Sequence, residues 1–382
     1  MTVPLSGLTV VELGHSVAAP FAGQALGDLG AHVVKVENPQ AGDDARSWGP
    51  PFWHGSSATF QSLNRNKRSV AVDLKDPAEC ARLRAFIVEH ADVVIQNMRP
   101  GLVEKFGIDQ GLREQSPRLI YCNLGAFGNC GPLRDRPGYD PLMQAFGGIM
   151  SITGEEDRPP VRVGPSIVDI GAGLWSVIGI LAALEQRRRT GEGCTVDTSL
   201  FETSLSWMTV PVALQMASGR EPRRTGSEAA MIVPYRAFSA SDRFIIIAAG
   251  NDALFRRLCD VLERPHWAAD PRFDANATRV EHRDTLNGMI EEIVGRHAAS
   301  HWLERLDAAG VPAAPLQTVS EVLAHPQTVA LDMVRPVGDG TLSLMSLPLR
   351  FDGARLPFRL APPALGADTA EILERAPAEA RP

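Results

Sequence analysis

The sequence predicts an α/β protein, with a large domain built on an open, Rossmann-like, mostly parallel sheet and a smaller α+β domain after it. Three observations carry that reading. Short β-branched runs alternate with helical stretches over the first 125 residues. A polar stretch rich in Gly, Arg and Ser, residues 218–230 (SGREPRRTGSEAA), interrupts the chain beyond Ala217. Past it, one strand-like run is followed by three stretches of helical period.

The elements follow in order. Thr9–Leu13 (TVVEL) reads as the first strand, and Ala22–Leu29 as a helix after Pro20. His32–Glu37 (HVVKVE) is the second strand and Ser69–Leu74 (SVAVDL) the third. A helix from about Pro77 to Glu89 opens on proline, which suits a first turn. Asp92–Asn97 (DVVIQN) and Leu119–Asn123 (LIYCN) complete the set. Such alternation gives βαβ units, and ligands on such sheets lie at the carboxyl ends of strands. In the second region, Arg243–Ala248 (RFIIIA) reads as a strand. Asp252–Leu262, Asp284–Val294 and Ser300–Ala309 read as amphipathic helices, and Gly310–Leu316 as an extended return. The expected organisation is a large domain over 1–215, a small one over 225–325, and a segment 326–382 that returns to the large domain.

Composition narrows the function. The chain has 382 residues, 44% hydrophobic and 22% charged, with a net charge of −7. The only basic block is Arg187-Arg188-Arg189, so nucleic acid is not an expected partner. The five cysteines, at 80, 122, 130, 194 and 259, form no CxxC. A disulfide framework or zinc site is therefore not expected, and a reducing, cytoplasmic location is. The N-terminus lacks the pattern of a signal peptide. The longest apolar run, Ile170–Leu184, falls short of the ~20 residues that span a bilayer, so it reads as a buried helix and no membrane partner is expected. After TVVEL comes GHSVAAP rather than GxGxxG, and no GxxxxGK[ST] occurs, so dehydrogenase and ATPase readings lack a motif.

The segment richest in chemistry is residues 164–193, GPSIVDIGAGLWSVIGILAALEQRRRTGEG. An apolar helix starts beside Asp169, with Gly171, Ala172 and Gly173 in its first turn. Small residues there admit a close neighbour. Asp169 has two readings from the residues alone. It is an N-cap, a position that favours Asp, or a reactive carboxylate held ionised by the helix dipole.

This segment resembles the nucleophile region of the class III CoA-transferases, the formyl-CoA and carnitine-CoA transferase (CaiB/BaiF) family. The resemblance spans nearly the whole chain. It is carried by residues 5–46 (LSGLTVVELGHSVAAPFAGQALGDLGAHVVKVENPQAGDDAR), NRNKRSVAVDLK, ADVVIQNMRPG, GYDPLMQAFGG followed by TG, and GEGCTVDTSLFE. It implies an interlocked homodimer of two-domain chains. It also implies CoA transfer between carboxylic acids, with Asp169 as nucleophile through aspartyl anhydride and aspartyl-CoA thioester intermediates. Coenzyme A and acyl-CoA are then substrates, succinyl-CoA a reasonable donor, and no tightly bound cofactor is implied.

By the same resemblance, CoA lies against His15, Ser16 and Val17 after the first strand, and near Asn38 after the second. Some relatives carry arginine where this chain has Asn38. Leu74 and Lys75 meet the nucleotide after the third strand. Asn97, Met98 and Arg99 follow the fourth, with Lys105 one turn later, and Phe127 lies near the pantetheine arm. Arg46 belongs to the N-terminal signature and serves either a ligand or a structural salt bridge. Some relatives close a glycine run over the nucleophile, whereas TGSEAAMIVPYRAF here holds only Gly226. The α-methylacyl-CoA racemases share the superfamily fold and are the nearest rival. Those resembling this chain carry histidine where it has Tyr139, before Asp140, and a tyrosine of pKa near 10 shuttles protons poorly at neutral pH. A non-catalytic CoA-binding protein is a further alternative, and retention of Asp169 argues against it.

Overall fold

The computed structural model describes residues 3–374. Its contacts group the chain into two compact units. Among the described residues the first comprises 3–150, 162–220 and 329–374, and the second 151–161 and 221–328.

The first unit holds a six-stranded sheet. In chain order its elements are β1 (Thr9–Leu13), α1 (Ala18–Asp28), β2 (His32–Glu37), β3 (Lys67–Ala71), α2 (Pro77–His90), β4 (Val93–Gln96), β5 (Ile120–Gly125), α3 (Asp140–Phe146), α4 (Ile167–Thr190), β6 (Thr195–Ser199) and α5 (Leu200–Trp207). The strands lie in the order β3-β2-β1-β4-β5-β6, every pair parallel. The order reverses between β1 and β4, and that switch point opens a crevice at the carboxyl ends of the strands. Val11, Val34, Val70, Val94 and Tyr121 fill one layer of core with Leu83 and Ile87 of α2.

Three readings of the sequence change. Helix α1 starts at Ala18, ahead of Pro20. Proline sits within the first turn, where N–H groups have no helical partner to lose. The sixth strand, β6, is absent from the sequence reading because TVDTS is an edge strand with only Ser199 buried. Helix α4 is longer than its apolar run. Residues 167–169 and 185–190 extend it to 24 residues, long and apolar enough by length and composition to cross a membrane. Length therefore does not exclude a span, and packing is what assigns the helix here. Val168, Gly171, Ala172, Ser176, Val177 and Ile180 are buried, and Gly173 lets α4 approach α1 so closely that a Cβ would lie 2.7 Å from the Ala18 carbonyl oxygen. The basic block ends this helix. Arg187 pairs with Asp92, and Arg188 and Arg189 with Glu185.

The returning tail runs along β3. Asp368 accepts from the Ser69 N–H, Thr369 Oγ1 from the Ala71 N–H, and the Asp368 N–H donates to the Ser69 carbonyl.

The second unit carries an antiparallel sheet of β7 (Tyr235–Ser239), β8 (Phe244–Ala248) and β9 (Ala313–Pro315), in the order β9-β8-β7. Helices α6 (Asp252–Val261), α7 (Arg283–Val294) and α8 (Ala299–Ala308) pack Phe255, Leu258, Leu286, Ile290 and Trp302 against Phe238, Ile245 and Ile247. The segment around Gly226 is anchored within this unit. The Gly226 N–H donates to Gly154, and the Arg224 guanidinium to the carbonyls of Glu155, Glu156 and Arg158.

Candidate active site

A cleft of about 210 Å³ opens at the carboxyl ends of β1, β4 and β5, in the first unit. It is lined by the loop His15–Ala18, by Asn97–Pro100, by Leu124–Ala126, by Arg136–Pro141, and by Ser166 and Asp169. A second hollow adjoins it along β4, β5 and β6, and Met98, Arg99, Leu124 and Gly125 line both.

The loop after β1 is fixed from below. Asn97 clamps it reciprocally: its Oδ1 accepts the His15 N–H at 3.0 Å and its Nδ2 donates to the His15 carbonyl at 2.9 Å. Ser16 holds a left-handed backbone, φ +71°, and donates its N–H to Asp43 Oδ1. His15 Nδ1 and Ser16 Oγ lie 2.9 Å apart. Burial lowers the His15 pKa, with Asp43 partly opposing, so the imidazole is neutral at pH 7.

Beneath the loop lies a chain of buried charges. Lys35 Nζ contacts Glu12, Asp43 and the Gly14 carbonyl at 2.8–2.9 Å. Lys67 Nζ meets the other oxygen of Glu12 at 2.8 Å. Burial alone would lower the Lys35 pKa, but Glu12, Asp43 and Glu37 outweigh it and hold the ammonium above its usual range. Burial pulls Lys67 down to about 8 against the attraction of Glu12. Arg46 belongs to this structural layer. It grips Glu37 through two hydrogen bonds of 2.6 and 2.7 Å and stacks over Phe60, so the salt-bridge reading holds.

Asp169 stands in the first turn of α4, two residues beyond the helix start. It is not the cap. The N-cap position is Ser166, which makes no side-chain capping bond. Asp140 of α3 supplies the acceptor, its Oδ2 lying 2.8 Å from the Val168 N–H and 3.3 Å from the Asp169 N–H. Among the described residues the Asp169 side chain has no hydrogen bond or ion pair of its own. The expectation that the helix start holds it ionised is also corrected. Burial, and then the neighbouring Asp140 charge, push its carboxyl up to about 7.

The structure thus gathers His15, Ser16, Val17, Asn97, Met98, Arg99 and Asp169 round one cleft. Other residues named from the sequence stand apart. Asn38 is exposed and closes its own turn, its Oδ1 accepting from the N–H groups of Gln40 and Ala41. Leu74 packs on the core behind β3, and Lys75 is exposed. Both follow β3, two strands from β1. Lys105 is exposed, with its ammonium 5.9 Å from the Phe106 ring. Phe127 packs with Phe146 and Phe201, centroids 5.2 and 5.9 Å away. Sequence reasoning missed the capping role of Asp140 and the place of Trp48 and Arg136 in the cleft wall. A signal for Asp140 existed: Asp before Pro at a helix start, with Gln144 four residues on to hold it.

A model of CoA-transferase family III matches residues 5–369. The chain belongs to this family. Among curated relatives, it is 39% identical to the succinate–glutarate CoA-transferase of Agrobacterium fabrum, over 97% of this chain and 95% of that one. It is 38% identical to the acetyl-CoA:oxalate CoA-transferase of Acetobacter aceti, over 92% and 90%. Among solved structures, a CaiB/BaiF family protein from Brucella suis superposes with a TM-score of 0.87 at 41% identity, over 97% of this chain and 99% of that one. The protein is a class III CoA-transferase, and the racemase and scaffold alternatives give way to that reading.

Proposed function

We propose that this CoA-transferase carries an acyl-CoA donor and a carboxylic acid acceptor in turn through the cleft, with Asp169 as the covalent nucleophile. The observation that carries the reading is the unengaged Asp169 carboxyl in a crevice at the topological switch point. Its ionised oxygen attacks the thioester carbonyl, the C–S bond breaks, and CoA thiolate leaves a mixed anhydride. The thiolate attacks the aspartyl carbonyl, expels the donor acid and leaves an aspartyl-CoA thioester. The acceptor carboxylate then attacks that thioester, and the released thiolate takes the acceptor acyl group and returns Asp169 as carboxylate. The sequence consumes no proton, but it needs Asp169 ionised and water excluded, since the anhydride hydrolyses.

Short dicarboxylic acids, with succinyl-CoA as donor, are the proposed substrates. The succinate–glutarate activity of one relative supports this donor, the oxalate acceptor of another supports a short dicarboxylic acid, and Arg99 and Arg136 in the cleft wall suit a second carboxylate or a phosphate. CoA enters as a substrate, with His15–Val17 and Asn97–Arg99 as its nearest contacts. The same proposal includes an interlocked homodimer in the cytoplasm. Leu174, Trp175, Ile178 and Leu181 of α4 and Leu205 and Trp207 of α5 leave an exposed apolar face that a second copy would cover. The five cysteines are free, as in a reducing compartment.

Hydroxylamine trapping tests the nucleophile. Incubation with succinyl-CoA should mark Asp169 as a hydroxamate in the peptide map, and Asp169→Asn should lose transfer by at least about a thousandfold. An unmarked Asp169, with α-hydrogen exchange into the substrate and no CoA passed to an acceptor, overturns this reading.

A further inference from the structure

An α-helix begins with backbone N–H groups that no helical carbonyl can satisfy. An acidic side chain in the first turn commonly turns back to serve them. Asp169 has the position for that task and does not perform it. Asp140, only 2% exposed, takes it over from α3. Its Oδ1 is held by Gln144 Nε2 at 2.6 Å, and Gln144 Oε1 in turn accepts the Val163 N–H at 2.8 Å. The network joins α3 to the segment that leads into α4 and ends on the N–H groups of Val168 and of Asp169 itself. Among the described residues Asp140 has no ion pair.

We propose that Asp140 is a positioning residue for the nucleophile: by capping α4 from the neighbouring helix, it occupies the helix start and leaves the Asp169 carboxyl disengaged in the cleft. The proposal rests on the nucleophile reading above. Two carboxylates cannot share one set of N–H donors without repulsion, so the buried one that holds the donors displaces the other. The charge of Asp140 also acts on Asp169, which titrates higher for it. The other charged or titratable groups lining the cleft are His15, Arg99, Arg136 and Tyr139. All of them remain in the test.

The test uses the full chain with Asp140→Asn and Asp140→Ala, succinyl-CoA as donor and glutarate as acceptor, assayed from pH 5 to 9. Asp140→Ala removes the acceptor, so kcat should fall on the order of 10- to 100-fold while KM for succinyl-CoA changes little. Asp140→Asn keeps an amide oxygen for the helix N–H groups, so it should retain more of kcat. Because the negative charge is gone, the acid limb of its rate profile should move to lower pH. A purely structural cap would lower the melting temperature and leave kcat per folded molecule and the acid limb where they are, and that result overturns the proposal. Should Asp140→Ala fail to fold, Asp140→Asn carries the test alone. Hydroxylamine trapping of the unmodified protein separates the two failures. A marked Asp169 with an unmoved acid limb removes the proposal and keeps the nucleophile, whereas an unmarked Asp169 removes both.

Discussion

Two groups of acidic side chains lie under the same cleft and behave in opposite ways. Glu12, Glu37 and Asp43 are buried among Lys35, Lys67 and Arg46. Burial acts to raise Glu37 and Asp43, but Arg46 and Lys35 outweigh it and hold both below the usual carboxylate range. Asp140 accepts from backbone N–H groups, Asp169 lies beside it, neither has an ion pair among the described residues, and Asp169 goes up. The residue types are the same, and the neighbours decide. Paired carboxylates hold a loop in place, whereas the unpaired Asp169 lines the cleft.

Removing a cation from the paired group should have the largest effect on stability. Lys35→Met leaves Glu12 and Asp43 buried with one partner fewer, and should cost about 3–5 kcal/mol in denaturant unfolding. A neutral result would mean that the ion chain does not hold the loop after β1. The cations of the rim come next. Arg99 lines the cleft and has no ion pair among the described residues, so Arg99→Ala should weaken CoA binding by about 1.5–3 kcal/mol in calorimetry. Lys105→Ala should weaken it less, because Lys105 stands outside the lining. The reverse order would shift the nucleotide site toward Lys105.

The smallest effect concerns pH and has a definite sign. The folded Asp169 keeps a proton that the unfolded chain releases near pH 4. Its stabilising contribution is therefore full below about pH 4 and lost as pH rises through about 7. Asp169→Asn should be more stable than the natural chain at pH 8 by about 1–2 kcal/mol, given the partial exposure of the site. The difference should vanish near pH 4. Glu37 and Asp43 act the other way, since their contribution is present above the ordinary carboxylate range and lost as pH falls. Equal melting temperatures for the two proteins at pH 8 would show that Asp169 bears no burial cost.

Much of this was legible in the sequence, and the rest was hidden for physical reasons. The five inner or flanking strands announced themselves by β-branched runs, and the loops after β1 and β4 followed from the sheet rule. Asp169 was legible as a carboxylate beside a helix start. Its freedom was not, because the residue that caps in its place lies 29 positions away. Lys35 and Glu37 alternate with valines as solvent-facing residues of a strand would, yet both are buried, because Lys35 finds Glu12 on β1 and Asp43 beyond β2, and Glu37 finds Arg46 and Ser69. Nothing local distinguishes a charge that faces water from one that faces another charge. Asn38 shows the converse. Its turn is wholly local, and it spends both acceptor bonds there.

The returning tail guards the open flank of the sheet. Strand β3 has β2 on one side only, and an uncovered strand edge is a template for pairing with other chains. Gly366, Asp368 and Thr369 meet that edge through side-chain and backbone bonds to Ser69 and Ala71, without adding a seventh strand. A chain cut before residue 366 would keep every cleft residue and still present a bare β3. Its first symptom would be precipitation on concentration, ahead of any loss of turnover in dilute solution.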